Sequence, residues 1–104
     1  FKLDDYIIKH KIKKIDFIKL DVDGYELDVL KSGYKFLKKN RTPIIFEVAP
    51  YLYKEHNYSQ SDLVNLFVEM KYSFYDINNL KKIKNINKYM SSISDGESTT
   101  LIAK

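Results

Sequence analysis

Short unbroken apolar runs and stripes at helical spacing alternate along this chain, and that alternation predicts a layered α/β fold. Leu3, Ile7 and His10 recur at helical spacing behind Asp4 and Asp5, whose charges suit a helix amino end, so a short first helix is expected. Phe17-Ile18-Lys19-Leu20 reads as a strand. It stops at Asp21, Asp23 and Gly24, and the glycine supplies a turn into a helix marked by Leu27, Leu30, Tyr34 and Leu37. After Asn40-Arg41-Thr42-Pro43, the run Ile44-Ile45-Phe46-Glu47-Val48 predicts a second buried strand, parallel to the first. Strand, helix of about 13 residues and strand make a crossover unit, so both strands should end on one edge of the sheet.

Ala49 to Tyr58 has no clear period and reads as a rim loop. Ser59 and Asp62 form the outline of a capping box, and Leu63, Leu66, Phe67 and Met70 make the apolar stripe of the helix that follows. Tyr72 to Ile77 predicts a third strand, Asn78 to Lys88 a surface excursion rich in lysine and asparagine, Ser94-Asp95-Gly96 a turn, and Thr99 to Ala103 a closing strand antiparallel to the third. The expected sheet is two parallel strands plus an antiparallel pair, flanked by helices. Its first strand would have an unprotected edge.

Composition narrows the classes. A chain of 104 residues with 44% apolar content has room for one small domain with a modest core. The net charge of +4 comes almost entirely from lysine, and a chain with a single arginine lacks the guanidinium forks that favour base and phosphate recognition. Nucleic-acid binding is therefore disfavoured, although Lys81, Lys82, Lys84 and Lys88 cluster in the excursion. No cysteine is present, which excludes disulfides and thiolate zinc sites. No apolar run approaches the roughly 20 residues that span a bilayer, and a soluble, cytoplasmic chain with no membrane partner is expected.

The candidate chemistry lies where the two parallel strands end. In open α/β sheets the carboxyl edge is where ligands bind, because loops leave the sheet there and open a crevice. Asp21 and Asp23 end the first strand, and the crossover brings Glu47, near the end of the second, toward them. A carboxylate in an otherwise apolar strand is costly unless it pairs or reaches the rim, which favours a functional Glu47. Glu26 lies in the first turn of a helix, where its charge suits the dipole, and reads as structural. Lys19 reads as a snorkelling strand residue, and His56 as an exposed loop histidine among Tyr51, Tyr53 and Tyr58.

Three stretches carry a resemblance: Leu3-Asp4-Asp5-Tyr6, the run from Ile15-Asp16-Phe17-Ile18-Lys19-Leu20-Asp21-Val22-Asp23-Gly24-Tyr25-Glu26 through Gly33, and Pro43-Ile44-Ile45-Phe46-Glu47-Val48. In order and spacing they are similar to the signature of the FkbM family of S-adenosylmethionine-dependent methyltransferases. That family more often has glutamate where Asp23 stands, and residues 59 to 104 follow it only in outline. The resemblance implies that residues 1 to 104 form the carboxyl-terminal half of a single Rossmann-like class I methyltransferase domain, starting just before the fourth strand. The glycine-rich loop that holds the donor would lie in the other half, since Gly24, Gly33 and Gly96 form no G-x-G pattern. Alone, the chain is expected to bind the methyl donor poorly.

The implied activity is O-methylation of a sugar or other small hydroxylated acceptor, which needs a base near the nucleophile and, in some enzymes, a divalent cation. Three arrangements stay open. Asp21 with Glu47 could hold Mg2+ while Asp23 acts as base. Without metal, Asp21 could orient substrate or donor beside the same base. In a purely structural arrangement, Asp23 caps the second helix and Asp21 ties down the turn. The implied partners are the acceptor and either a complementing half-domain or a second copy at the first strand's edge. A non-catalytic remnant kept for interaction is the alternative from another class.

Overall fold

A computed structural model describes residues 2–104. The elements run α1 (Leu3–Lys9), β1 (Ile18–Leu20), α2 (Glu26–Ser32), α3 (Tyr34–Asn40), β2 (Ile44–Val48), α4 (Pro50–Tyr53), a 3₁₀ turn (Lys54–His56), α5 (Gln60–Glu69), β3 (Phe74–Asp76), α6 (Ile86–Ser91) and β4 (Thr99–Ala103). Four strands form one sheet in the order β1-β2-β4-β3, with β1 and β2 parallel and the other pairings antiparallel. The mixed α/β class and the parallel first pair agree with the sequence pattern.

Register assigns the two faces. Leu20 lies opposite Phe46, Phe46 opposite Leu101, and Phe74 opposite Ala103. These buried residues share the face that packs against Leu30, Leu63 and Phe67 from the helices. Phe46 is central, its ring 5.0 Å from Phe67 and 6.2 Å from Phe74. Strand side chains alternate between faces, so Lys19, Ile45, Glu47, Thr100, Ile102 and Tyr75 occupy the other one. Ile45 and Ile102 are only half-buried and do not join the core, which leaves this face open.

The helix expected after β1 is two helices, broken at Gly33. Two tertiary contacts meet at the break. Leu3 of α1 packs onto Gly33 so closely that a Cβ there would sit 2.6 Å from Leu3 Cδ2. Asp4, expected to serve its own helix, instead accepts hydrogen bonds from the backbone N–H groups of Lys35 and Phe36 at 3.0 and 3.1 Å, and so caps the first turn of α3 from across the fold. The capping box at Ser59 and Asp62 forms as the sequence indicates.

Three further differences have physical causes. The stretch from Ala49 to Tyr58, expected as a loop, coils into α4 and the 3₁₀ turn behind Pro50, which sits at a first-turn position where a missing N–H costs nothing. The excursion after β3 is partly structured: Asp76 N–H donates to Lys81 O, Ile83 N–H donates to Phe74 O, and α6 follows. These contacts cover the outer edge of β3. Finally, β4 does not merely flank β3 as a hairpin partner, but inserts between β2 and β3. Among the described residues no helix is long and apolar enough to cross a membrane.

Candidate functional site

The parallel pairing of β1 and β2 brings Asp21 and Glu47 together. With Leu20 opposite Phe46, the next residue on each strand is an acid, and both line one shallow cavity of about 150 Å³ with Lys19, Ile45 and Thr100. Cavities of about 480 and 590 Å³ elsewhere lie along α1 and contain none of these acids. Asp21 and Asp23 are exposed, and Glu47 is half-buried. Their carboxylates have no hydrogen bond or ion pair among the described residues, where the sole ion pair joins Lys14 to Asp16.

Asp23 and Gly24 both have positive φ, +50° and +98°, and Tyr25 N–H bonds back to Val22 O at 3.1 Å. Two left-handed residues closed by that bond match a type I′ turn, for which Asp-Gly is a favoured pair. The turn is held from above by the segment after β2. Tyr58 OH donates to Gly24 O at 2.6 Å, and His56 Nε2 lies 3.2 Å from Asp23 O. The His56 ring occupies the space where a Gly24 side chain would begin, its Cδ2 and Nε2 overlapping the place of a Cβ. The Tyr25 ring packs against His56 at a tilt of 55°, with ring centroids 4.1 Å apart. His56 is thus a clamp rather than a free loop residue, and Lys19 stands beside the acids without pairing with them.

This geometry corrects the structural alternative for Asp23. Tyr25, not Asp23, is the N-cap of α2, and no side chain caps that helix. Asp23 turns its carboxylate to solvent while its backbone carbonyl meets His56.

Glu26 is the residue whose environment sequence reasoning missed. It is only 3% exposed, and its Oε2 has no hydrogen-bond partner. The Tyr53 hydroxyl is also buried without a partner. Burial pushes the Glu26 carboxyl pKa above its ordinary value; backbone amides at Glu26 and Gly24 oppose the shift, and the charges of Asp23 and Glu47 add to it. Burial and then the Glu26 charge push Tyr53 upward as well. Tyr58, stacked on Tyr53 at 4.8 Å, shifts in the same direction for the same two reasons.

A pH dependence follows. A carboxyl that binds its proton more tightly when folded contributes stability that is complete below about pH 4.5 and is lost as pH rises through its folded value. Glu26→Gln keeps the shape without the charge. It is expected to remove that decline and to make the chain more stable than wild type at neutral pH, as measured by urea unfolding between about pH 4 and pH 8. A variant whose stability tracked wild type at every pH would show that Glu26 carries no such penalty.

Among the described residues no group of three or more His, Cys, Asp and Glu side chains is placed to hold a metal ion. Asp21 and Glu47 are the two carboxylates that a magnesium ion would take here, the rest of its coordination coming from water and substrate oxygens. A family model for the methyltransferase FkbM domain matches residues 1–92. No curated protein and no solved structure matches the chain.

Proposed function

The chain belongs to the methyltransferase FkbM domain family, and on that premise we propose that it supplies the acceptor side of an S-adenosylmethionine-dependent O-methyltransferase. The observation that carries this reading is the meeting of Asp21 and Glu47 in one cavity at the carboxyl edge of two parallel strands, with the exposed Asp23 on the turn that follows β1. Methyl transfer to a hydroxyl forms an oxygen–carbon bond, releases the donor's sulfur and leaves one proton to be removed. Asp23 is the base in this reading, because a rigid turn fixes its backbone and leaves its carboxylate exposed. Asp21 and Glu47 orient the acceptor by accepting from its other hydroxyls.

The described residues do not form a cradle for the donor. His56 fills the space above Gly24 and Leu3 fills the space above Gly33, while Gly96 is open but lies in an exposed turn that starts no helix. Binding a nucleoside at close range needs backbone left open by glycine. We therefore assign the donor to a glycine-rich segment outside these 104 residues. The unpaired edge of β1 and the open face carrying Ile45 and Ile102 are where that segment would add to the sheet.

Calorimetric titration of S-adenosylmethionine tests the division of labour. The 104-residue chain alone is expected to give no micromolar binding, and the chain completed by a glycine-rich half, in the same polypeptide or added separately, is expected to bind and to methylate. Micromolar binding by the short chain would overturn the assignment of the donor site, and a completed domain that transfers no methyl group would overturn the enzymatic reading.

A further inference from the structure

A groove between α1 and α3 lies at the amino edge of the parallel strands, the end opposite Asp21 and Glu47. Lys13 and Asn40 line it a few residues before β1 and β2 begin. Its volume of about 480 Å³ falls within the roughly 300–1,000 Å³ of small-molecule sites. Ile7, Ile8, Ile12 and Phe36 supply apolar walls, and Lys13, Lys35 and Lys39 stand around them. Among the described residues, Asp4 is the one acid in the lining, so the groove carries a charge of +2 from three lysines and one aspartate.

Backbone geometry fixes both sides. After α1 the chain closes as a Schellman motif: Lys11 N–H donates to Ile8 O at 3.2 Å and Ile12 N–H donates to Ile7 O at 3.0 Å, with Lys11 left-handed at a φ of +53°. That turn returns Ile12 to the wall that the buried Ile7 begins, and carries the chain on to Lys13. Across the groove, each Asp4 carboxylate oxygen accepts one backbone N–H of α3, from Lys35 or Phe36. Asp4 is thereby engaged in joining the two helices and forms no ion pair with a lysine; among the described residues the sole ion pair is Lys14 with Asp16. Ile8 is left 73% exposed beside ammonium groups that have no counter-ion.

Apolar walls and unpaired cations together match a ligand with an alkyl chain and an anionic head. The chain gains by covering Ile8 and Phe36, and the head gains by meeting lysine. Inorganic phosphate would use the lysines and leave the walls wet. A bilayer surface cannot follow a concave wall, whereas one chain can lie along it. We propose that this groove binds a single-chain anionic amphiphile, its alkyl chain along Ile7, Ile12 and Phe36 and its carboxylate held by Lys13, Lys35 and Lys39. The site is remote from the acceptor's rim and does not depend on the methyl-transfer reading.

Amide-detected NMR titration of the 104-residue chain with decanoate, below its micelle concentration, provides the test. Decanoate is expected to shift the amides of residues 7–13 and 35–40, and to bind about tenfold more tightly than octanoate, which has two fewer CH2 groups. Decyltrimethylammonium, with the same chain and the opposite charge, is expected to bind at least about tenfold more weakly. Lys39→Glu should weaken decanoate binding about tenfold and Lys39→Arg should retain it, both with little change in thermal unfolding, because Lys39 is exposed. Ile8→Asn, at a position equally open to solvent, should weaken it as well. The proposal is overturned by equal binding of decyltrimethylammonium or inorganic phosphate, by shifts centred on Ile45 and Ile102 of the open sheet face, or by sedimentation with anionic vesicles in place of decanoate binding. Absence of any shift overturns it too, as does loss of the shifts in the completed methyltransferase domain, which would show the groove to be covered by the rest of that domain.

Discussion

Asp23→Asn in the completed methyltransferase is expected to lower kcat by about 10²–10⁴-fold, the contribution typical of a positioned general base. Asparagine is suited to this test because it accepts a left-handed backbone at least as readily as aspartate, and the φ of +50° at this position would strain most other residues. The contacts that hold the turn, from Tyr58 to Gly24 O and from His56 to Asp23 O, involve backbone oxygens and survive the change. Thermal unfolding of the variant should therefore match wild type while turnover collapses. Asp21→Asn should differ in kind, raising KM more than it lowers kcat, because an orienting carboxylate contributes to ground and transition states alike. The pH profile separates the roles further, since only loss of the base removes the acid limb of the kcat curve. A variant at Asp23 with near-normal turnover would remove this residue from the reaction.

Phe46→Ala is the change expected to damage the fold most. The ring is 1% exposed, lies on an interior strand and packs against Phe67 and Phe74. Truncating a buried phenylalanine costs about 3–5 kcal/mol, from lost burial together with the cavity left behind. Domains of this size have only about 5–15 kcal/mol in total. The variant should unfold at much lower urea concentration, or fail to fold at physiological temperature, and a loss below about 1 kcal/mol would mean that the core around Phe46 repacks freely.

Local periodicity made the elements legible in the sequence, and chain topology made the rim legible. Ile44 to Val48 is apolar at every position but Glu47, so both the strand and its odd residue stand out without a structure. Asp21 and Glu47 could be placed together because a crossover forces two strand ends onto one edge. What the sequence hid depends on contacts between distant segments. At Gly33, where the two helices meet, Leu3 from thirty positions earlier packs too closely for any side chain. Glu26 looks like an ordinary first-turn acid, and only the folding of residues 50–58 over the turn buries it. A signal was present in the density of Tyr51, Tyr53 and Tyr58 behind Pro50, since that much aromatic area is seldom left in a solvated loop. His56 had no local mark at all, and its importance comes from the glycine beneath it.

Placement of β4 between β2 and β3 has a consequence for how the chain is made. Residues 99–103 are the last strand to leave the ribosome, yet they join the parallel pair to β3. Until they emerge, β1 and β2 can pair, but one edge of β2 and one of β3 stay unsatisfied. At about 5–20 residues added per second, those edges remain exposed for seconds after β2 is synthesised. The four-stranded sheet therefore cannot close until Thr99–Ala103 have been made, and a ribosome stalled a few codons before Thr99 would hold a chain with helices and a two-stranded ribbon but no four-stranded sheet.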